Sequence, residues 1–478
     1  MSTCSVADNS GDTAAAIDCL IAQQAKDHAS LDTFYHIFAA ALVFFMQAGF
    51  AMLCAGSVRA KNAKNIMLKN LLDACGAALG FYALGWGFAY GGQDADKTTF
   101  IGDYDFFLHA NVDGHHAFFF QFAFAATAAT IVAGTIAERC SMVAYLCYST
   151  ILTAFTYPIV AHAIWSKSGF LSAFNNDPLF GSGVVDFAGS GVVHLTGGVS
   201  ALLAALVLGP RMGRFYDDKG EVLNPPKEMP GHSTALQMLG TFILWTGWYG
   251  FNPGSTLGIS YDGAAEVASL SAVTTTIAAA SGCVTAMATR YFASDPLARQ
   301  YDLTAAMNGA LGGLVGITAG CSVVQPWAAV PIGAIAGLVY LGASNLLIKL
   351  RIDDTVDAVP VHMANGIWGL IAVGLFCDPE LKNAAYGSKH GGLFYGEGTL
   401  LGAECVCILF IVGWVTVVMG PFFMMLRKLG WFRVSIEDEL VGLDVSKHGG
   451  SAYELAENKD SQKQAYSDFI KNADDNAL

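Results

Sequence analysis

From Thr33 to Met425 the chain repeats one pattern, an apolar run of about 20 residues followed by a short polar break. Runs of that length match the hydrocarbon core of a bilayer, and their recurrence describes a polytopic helical membrane protein. A transmembrane β-barrel is excluded, because its strands alternate apolar and polar residues with period two and these runs do not. Composition agrees: 54% of the 478 residues are hydrophobic and 13% are charged, against about 25% charged in a soluble domain. The formal charge of −14 says little about partners, since acidic residues crowd the two termini and the loop 91–113. No nucleic acid is expected as a partner.

The fold expected is all-α, with about eleven transmembrane helices: 33–55, 66–90, 115–137, 142–164, 187–208, 234–251, 264–288, 303–323, 327–348, 359–376 and 400–425. Residues 1–29 are polar and acidic and have no apolar core of a signal peptide, so the first run is expected to act as its own insertion signal. Basic residues set the orientation. Arg59, Lys61 and Lys64 follow the first span, Arg139 the third, Arg211, Arg214, Lys219 and Lys227 the fifth, Arg290 and Arg299 the seventh, and Lys349 and Arg351 the ninth. The alternate connections hold only Lys97, Lys167, Lys382 and Lys389, and the N-terminal segment only Lys26. This bias puts the N-terminus outside and the C-terminus in the cytoplasm. Three parts follow: an extracellular segment 1–32, a membrane domain 33–426 and a cytoplasmic tail 427–478. Of the eleven cysteines, most lie in apolar runs as packing residues. Cys4 and Cys19 share the outer segment and are candidates for a disulfide.

Two stretches repeat. "DFAGSGVVHLTGG" (Asp186–Gly198) enters the fifth span and "DTVDAVPVHMANG" (Asp354–Gly366) the tenth; in each a His follows an Asp by eight positions and the stretch ends in Gly. A weaker echo pairs "QAGFAMLCAGS" (Gln47–Ser57) with "GWYGFNPGS" (Gly247–Ser255). Two blocks of five spans inserted in opposite senses, plus a final helix, give an inverted-repeat transporter with its site at the repeat interface.

That repeat singles out His194 and His362. Ionisable groups at bilayer depth are costly and face cavities or partners. Asp186 reads as the helix cap at the outer pore mouth, which leaves His194 about 12 Å farther along the helix. Pseudo-symmetry brings His362 to the same depth, where two imidazoles can share one proton. A metal site would need a third ligand, and none has comparable placement. Above the pair, Phe120 and Phe124 lie one turn apart, Trp165 ends the fourth span, and Phe251 and Ser255 close the sixth. Aromatic faces with a hydroxyl suit a small cation, at roughly 0.5–2 kcal/mol per cation–π contact. A cation cannot cross the apolar core, where scales charge about 3 kcal/mol and more, so it is expected to cross as a neutral amine. No paired pore-facing acids, HExxH, CxxC or phosphate loop supports an enzyme. Sensing and passive conduction of a neutral gas remain the competing readings.

The chain resembles the ammonium transporter, methylammonium permease and Rhesus protein family, in its plant-type branch, from about Asp32 to Tyr453. "FMQAGFAMLCAGSVRAKN", "GTIAER", "DFAGSGVVHLTGG", "GWYGFNPGS" and "DDTVDAVPVHMANGIWG" carry the resemblance. By that resemblance Phe120, Phe124, Trp165 and Ser255 are the outer ammonium recruitment site. Phe124 and Phe251 are the stacked rings of a pore gate, and His194 and His362 the twin histidines of conduction. The resemblance also implies a plasma-membrane homotrimer with one pore per subunit, no cofactor, and ammonium and methylammonium as substrates. The tail resembles a gating segment that a protein kinase modifies just before "HGG", which makes Ser446 the regulatory phosphosite. The family commonly has Thr there. From the residues alone, Ile436, Leu440, Leu443 and Val445 are expected to anchor the tail on the basic inner loops at Arg59, Lys61, Lys64, Arg211, Arg214 and Lys219.

Overall fold

The structure is a computed structural model that describes residues 13–110 and 114–453. Among them there is no β-strand, only isolated bridges. Eleven long helices build the membrane region, the first ten being α1 Thr13–Ser57, α2 Ala60–Tyr90, α3 His115–Thr135, α4 Met142–Trp165, α5 Ser190–Leu208, α6 Thr234–Phe251, α7 Ala264–Ala293, α8 Leu303–Thr318, α9 Pro326–Lys349 and α10 Val359–Phe376. A short α11, Pro379–Tyr386, leads to α12, Thr399–Lys428, and two short helices follow, α13 Ile436–Val441 and α14 Leu443–His448.

Among the described residues, nine of these helices are long and apolar enough to cross a membrane; α6, at 18 residues, and α8, at 16, are the other two of the eleven expected spans. The largest departure from expectation is α1, which begins at Thr13 rather than Thr33. No Gly or Pro interrupts residues 13–48, so the polar segment before the apolar run has no signal to stop a helix. In the opposite sense, α8 ends at Thr318, five residues before the expected boundary, and closes in turns through Gly320. Cys19 is disulfide-bonded, while Cys4 and the end of the tail after residue 453 lie outside the described residues.

Helices five apart in the chain pack together: α1 against α6, and α5 against α10. The second pair crosses closely. A Cβ on Gly198 of α5 would lie 2.4 Å from the Met363 backbone nitrogen, and one on Gly366 of α10 would lie 2.7 Å from the Ser190 carbonyl oxygen. Each glycine stands four residues after its own histidine and at the backbone beside the other's. The closing Gly of both repeated stretches is therefore what lets the two backbones approach.

At one end of the bundle the loops after α1, α3, α5 and α9 converge on a buried ion-pair network. Glu138 adopts a left-handed conformation (φ 72°), and its carboxylate meets Arg59 at 2.5 Å and Arg211 at 3.2 Å. Asp353 accepts from Arg211 Nε at 2.8 Å and Nη2 at 3.0 Å and lies 3.8 Å from Arg139. Burial alone would raise the Asp353 carboxyl, but Arg139 and Arg211 outweigh it and hold the group well below the usual carboxylate range.

Candidate functional site

Each repeated stretch folds the same way. The Asp186 carboxylate accepts from the backbone N–H groups of Gly189 (3.1 Å), Gly191 (3.0 Å) and Val192 (2.8 Å). The Asp354 carboxylate accepts from Val356 (3.3 Å) and Val359 (2.7 Å). Both therefore cap the helix that follows. Both helices open with a wide π-type turn, Ser190–Leu195 and Val359–Ala364, and the His194 N–H donates to the Gly189 carbonyl five residues back at 3.1 Å. Such turns displace a side chain from its regular helical direction and recur at functional sites. Here the side chains displaced are the two histidines.

His194 Nδ1 and His362 Nδ1 are 3.1 Å apart, with ring centroids at 5.2 Å and planes 15° from parallel. The pair is buried, at 0% and 5% exposed. One proton between the two nitrogens makes one ring the donor and the other the acceptor. His194 Nε2 is buried and has no partner among the described residues. Phe251 lies 5.6 Å from the His194 ring, and Trp248 stacks on it at 5.2 Å. Trp248 is a wall of the site that the sequence reading did not single out. It stands three residues before Phe251, on the same helical face, and that spacing was the available signal. Phe50 borders the His362 ring at 6.1 Å.

Phe251 stacks on Phe124 at 4.0 Å and 21°, so the two rings separate the histidines from a cavity of about 210 Å³ above them. Phe120, Phe124, Trp165 and Ser255 all line that cavity, as do Gln121 and Tyr90. The rings of Phe120 and Trp165 lie 4.6 and 5.8 Å from Phe124. Trp165 Nε1 donates to the Asp186 carbonyl at 2.7 Å, which ties the mouth to the capped end of α5. Ser255 Oγ donates to the Phe251 carbonyl at 2.8 Å, leaving its lone pairs as acceptors. Gln121 Oε1 and the Tyr90 hydroxyl are buried without a protein partner. The structure thus brings together all the residues expected at the mouth, with Asp186 immediately behind them. On the far side of His362, a small cavity of about 20 Å³ bordered by Phe50 and Leu53 leads toward a second cavity of about 300 Å³ at the end of the bundle that carries the ion-pair network. Leu53, Asn308 and Val356 line both.

The tail docks on the loops after α1 and α5, through some of the expected residues (Lys61, Lys64 and Leu443) but not through Arg59 or Arg211. Asp444 accepts from the N–H groups of Lys64 (2.9 Å) and Asn65 (2.8 Å), an anion on the first turn of a helix. Lys61 and Lys64 donate to tail carbonyls, at 2.6 Å to Leu440 and 2.9 Å to Gly450. Glu439 pairs with Arg433 at 2.8 Å and accepts from the Met212 N–H at 2.7 Å. Arg59 and Arg211 are engaged instead with Glu138 and Asp353. Of the four expected anchors Leu443 is buried and Val445 half-buried, while Ile436 and Leu440 are exposed. Ser446 Oγ is buried in the docked tail, facing the Asp438 carboxylate.

The family model described as Ammonium Transporter Family matches residues 34–453. Ammonium transporter 1 member 3 of Solanum lycopersicum is 44% identical over 92% of this chain and 97% of its own length. Ammonium transporter 1 member 1 of Arabidopsis thaliana is 47% identical over 86% of this chain and 83% of its own. Among solved structures, a sensor Amt protein superposes with a TM-score of 0.75 at 33% identity, covering 88% of this chain and 99% of that one. Mep2 of Candida albicans superposes with a TM-score of 0.73 at 26% identity, covering 85% and 86%.

Proposed function

The chain belongs to the ammonium transporter family, and on that premise we propose that it recruits ammonium at the aromatic outer cavity, releases a proton there and conducts the neutral amine past His194 and His362. The observation that carries this reading is the order along one line: a cavity walled by Phe120, Phe124 and Trp165, the Phe124–Phe251 stack, then the histidine pair and the inner cavities. Three aromatic rings and the Ser255 hydroxyl suit a small cation with hydrogens to donate. Below the stack, none of the described residues that line the small cavity beside His362 is a carboxylate, so a charge entering that stretch would go uncompensated. The paired imidazoles offer a neutral amine one acceptor and one donor as it passes.

The membrane domain, 33–426, is the conducting unit of a plasma-membrane homotrimer, with its N-terminal segment outside. The convergence of the basic loops at the tail-bearing end supports that orientation. Concentration-dependent uptake of ammonium and methylammonium by a null-background cell expressing the chain tests the function. Trp165→Leu is expected to weaken apparent affinity by up to about tenfold, the loss of one cation–π contact, and Ser255→Ala by a similar or smaller amount. An unchanged concentration dependence in the double variant would move the recruitment site elsewhere. Uptake with current means ammonium-equivalent transport, and uptake without it means conduction of ammonia. A sensor reading is favoured by the solved relative of that description; absence of uptake at full surface expression would support it.

The tail, 427–478, gates the inner end through docking, and phosphorylation by a protein kinase at Ser446 undocks it. With its hydroxyl buried against Asp438, Ser446 becomes available to a kinase only when α14 lifts away. A phosphoryl group of about −1.5 to −2 charge would then face both Asp438 and Asp444 on return. Ser446→Asp is expected to lower uptake, alone and in mixed trimers with wild type, and Ser446→Ala to leave it unchanged. Equal uptake by the two variants would remove Ser446 from the gate.

A further inference from the structure

Glu404 stands on α12 and is 0% exposed. Its Oε1 accepts from the Val185 N–H at 2.7 Å, while its Oε2 is buried without a partner. A carboxylate is costly to bury, and more so when half of its bonding capacity is unmet. The group is therefore held in place for one hydrogen bond among the described residues. That bond ends on the backbone immediately before Asp186, the cap of α5.

Residues 182–187 form an irregular strap leading into α5, and each of its ties runs to a different element. The fully buried Lys382 of α11 donates from Nζ to the Ser182 carbonyl at 3.0 Å. The Val184 N–H donates to the Leu171 carbonyl at 2.8 Å, and the Phe187 N–H to the Ala319 carbonyl at 3.0 Å. Between these, Glu404 holds the Val185 N–H, and the next carbonyl, that of Asp186, accepts from Trp165 Nε1. Trp165 and Phe187 line the outer cavity, whereas Glu404 does not. Without the carboxylate, the Val185 N–H is a buried donor with no acceptor, a state that backbone groups avoid. The strap must then shift, and the carbonyl that carries the indole shifts with it.

We propose that Glu404 is a positioning residue of the outer mouth: through the Val185 N–H it fixes the Asp186 carbonyl and the Trp165 ring, and so sets the affinity for ammonium without meeting it. This role rests on recruitment at the outer cavity, as proposed above. The bond needs an acceptor oxygen at that place rather than a charge, so a glutamine can make it. Lys382 ties the other end of the strap, and Tyr386, one turn farther along α11, lines the same cavity.

The measurement is initial ammonium uptake against concentration, at matched surface density. Glu404→Met keeps the bulk and removes the acceptor oxygen. It is expected to raise the half-saturating concentration by about three- to tenfold, the upper figure being that for loss of the Trp165 contact, with a maximal rate within about twofold of wild type. Glu404→Gln is expected to keep the wild-type concentration dependence. In a Trp165→Leu background, Glu404→Met is expected to add less than about twofold, because the ring it places is gone. If Glu404→Met does not reach the surface, its combination with Lys382→Met, which leaves no buried charge behind, takes its place with the same expectations. Wild-type affinity in Glu404→Met would overturn the role. So would an equal loss in Glu404→Gln, a fall in maximal rate alone, or full additivity with Trp165→Leu. An unchanged affinity in Trp165→Leu itself would instead overturn recruitment at the cavity.

Discussion

Gly198→Val is expected to abolish ammonium uptake without touching a residue that meets the substrate. The α5–α10 crossing leaves no room at this position: the added Cβ alone would stand 2.4 Å from the Met363 nitrogen and 2.6 Å from its Cα. Backbone atoms cannot rotate away as a side-chain end can, so the two helices must separate. Met363 adjoins His362, so the separation is passed directly to the 3.1 Å contact between the imidazoles. Overpacking a tight interior costs typically about 1–3 kcal/mol, a cost that a protein of this size can survive. Gly198→Ala is expected to retain a fraction of wild-type uptake, since it brings the Cβ without the two further methyls. Uptake and surface density measured together separate a broken path from a chain that never reaches the membrane. Wild-type uptake by Gly198→Val would mean that the crossing does not set the pair.

Asp353→Asn is expected to produce the largest loss of stability. The substitution keeps shape and removes charge from a carboxylate only 2% exposed in its side chain, between the guanidiniums of Arg211 and Arg139. Glu138 still compensates Arg211 at 3.2 Å, while Arg139 is left with backbone carbonyls and Thr355. Removing one partner of a buried pair costs roughly 3–5 kcal/mol, because the opposite charge stays behind. The measurement is thermal resistance of the detergent-purified chain. The sign with pH also follows. A carboxyl held below its unfolded value of about 3.9 contributes fully above that value and loses its contribution only as pH falls through the lower folded one. The wild-type advantage over Asp353→Asn should therefore be constant from about pH 5 to pH 8. Equal thermal resistance of the two proteins would mean that the network is not a structural tie.

The histidine pair was legible because the chain states it twice. Asp186 with His194, and Asp354 with His362, show the same spacing, and one position of each pair is an ionisable group where lipid-facing residues belong. The shared job of the two aspartates and the steric reason for Gly198 and Gly366 were not legible, since both depend on which backbone passes opposite. The surface that carries the tail was misread in part, for a related reason. Sequence shows basic loops and an acidic tail, but Glu138 and Asp353, acids of the membrane domain itself, lie closer to Arg59 and Arg211 than the tail does. The tail therefore docks through backbone groups and the Asp444 cap.

The most direct test of the transport path is initial ammonium uptake by His194→Ala and His362→Ala, each compared with wild type at matched surface density. Each substitution removes one half of a hydrogen-bonded pair and leaves the capped helix ends and the α5–α10 crossing in place. The path predicts uptake reduced to, or close to, the null background in both variants with assembly intact. Wild-type uptake in both would contradict it.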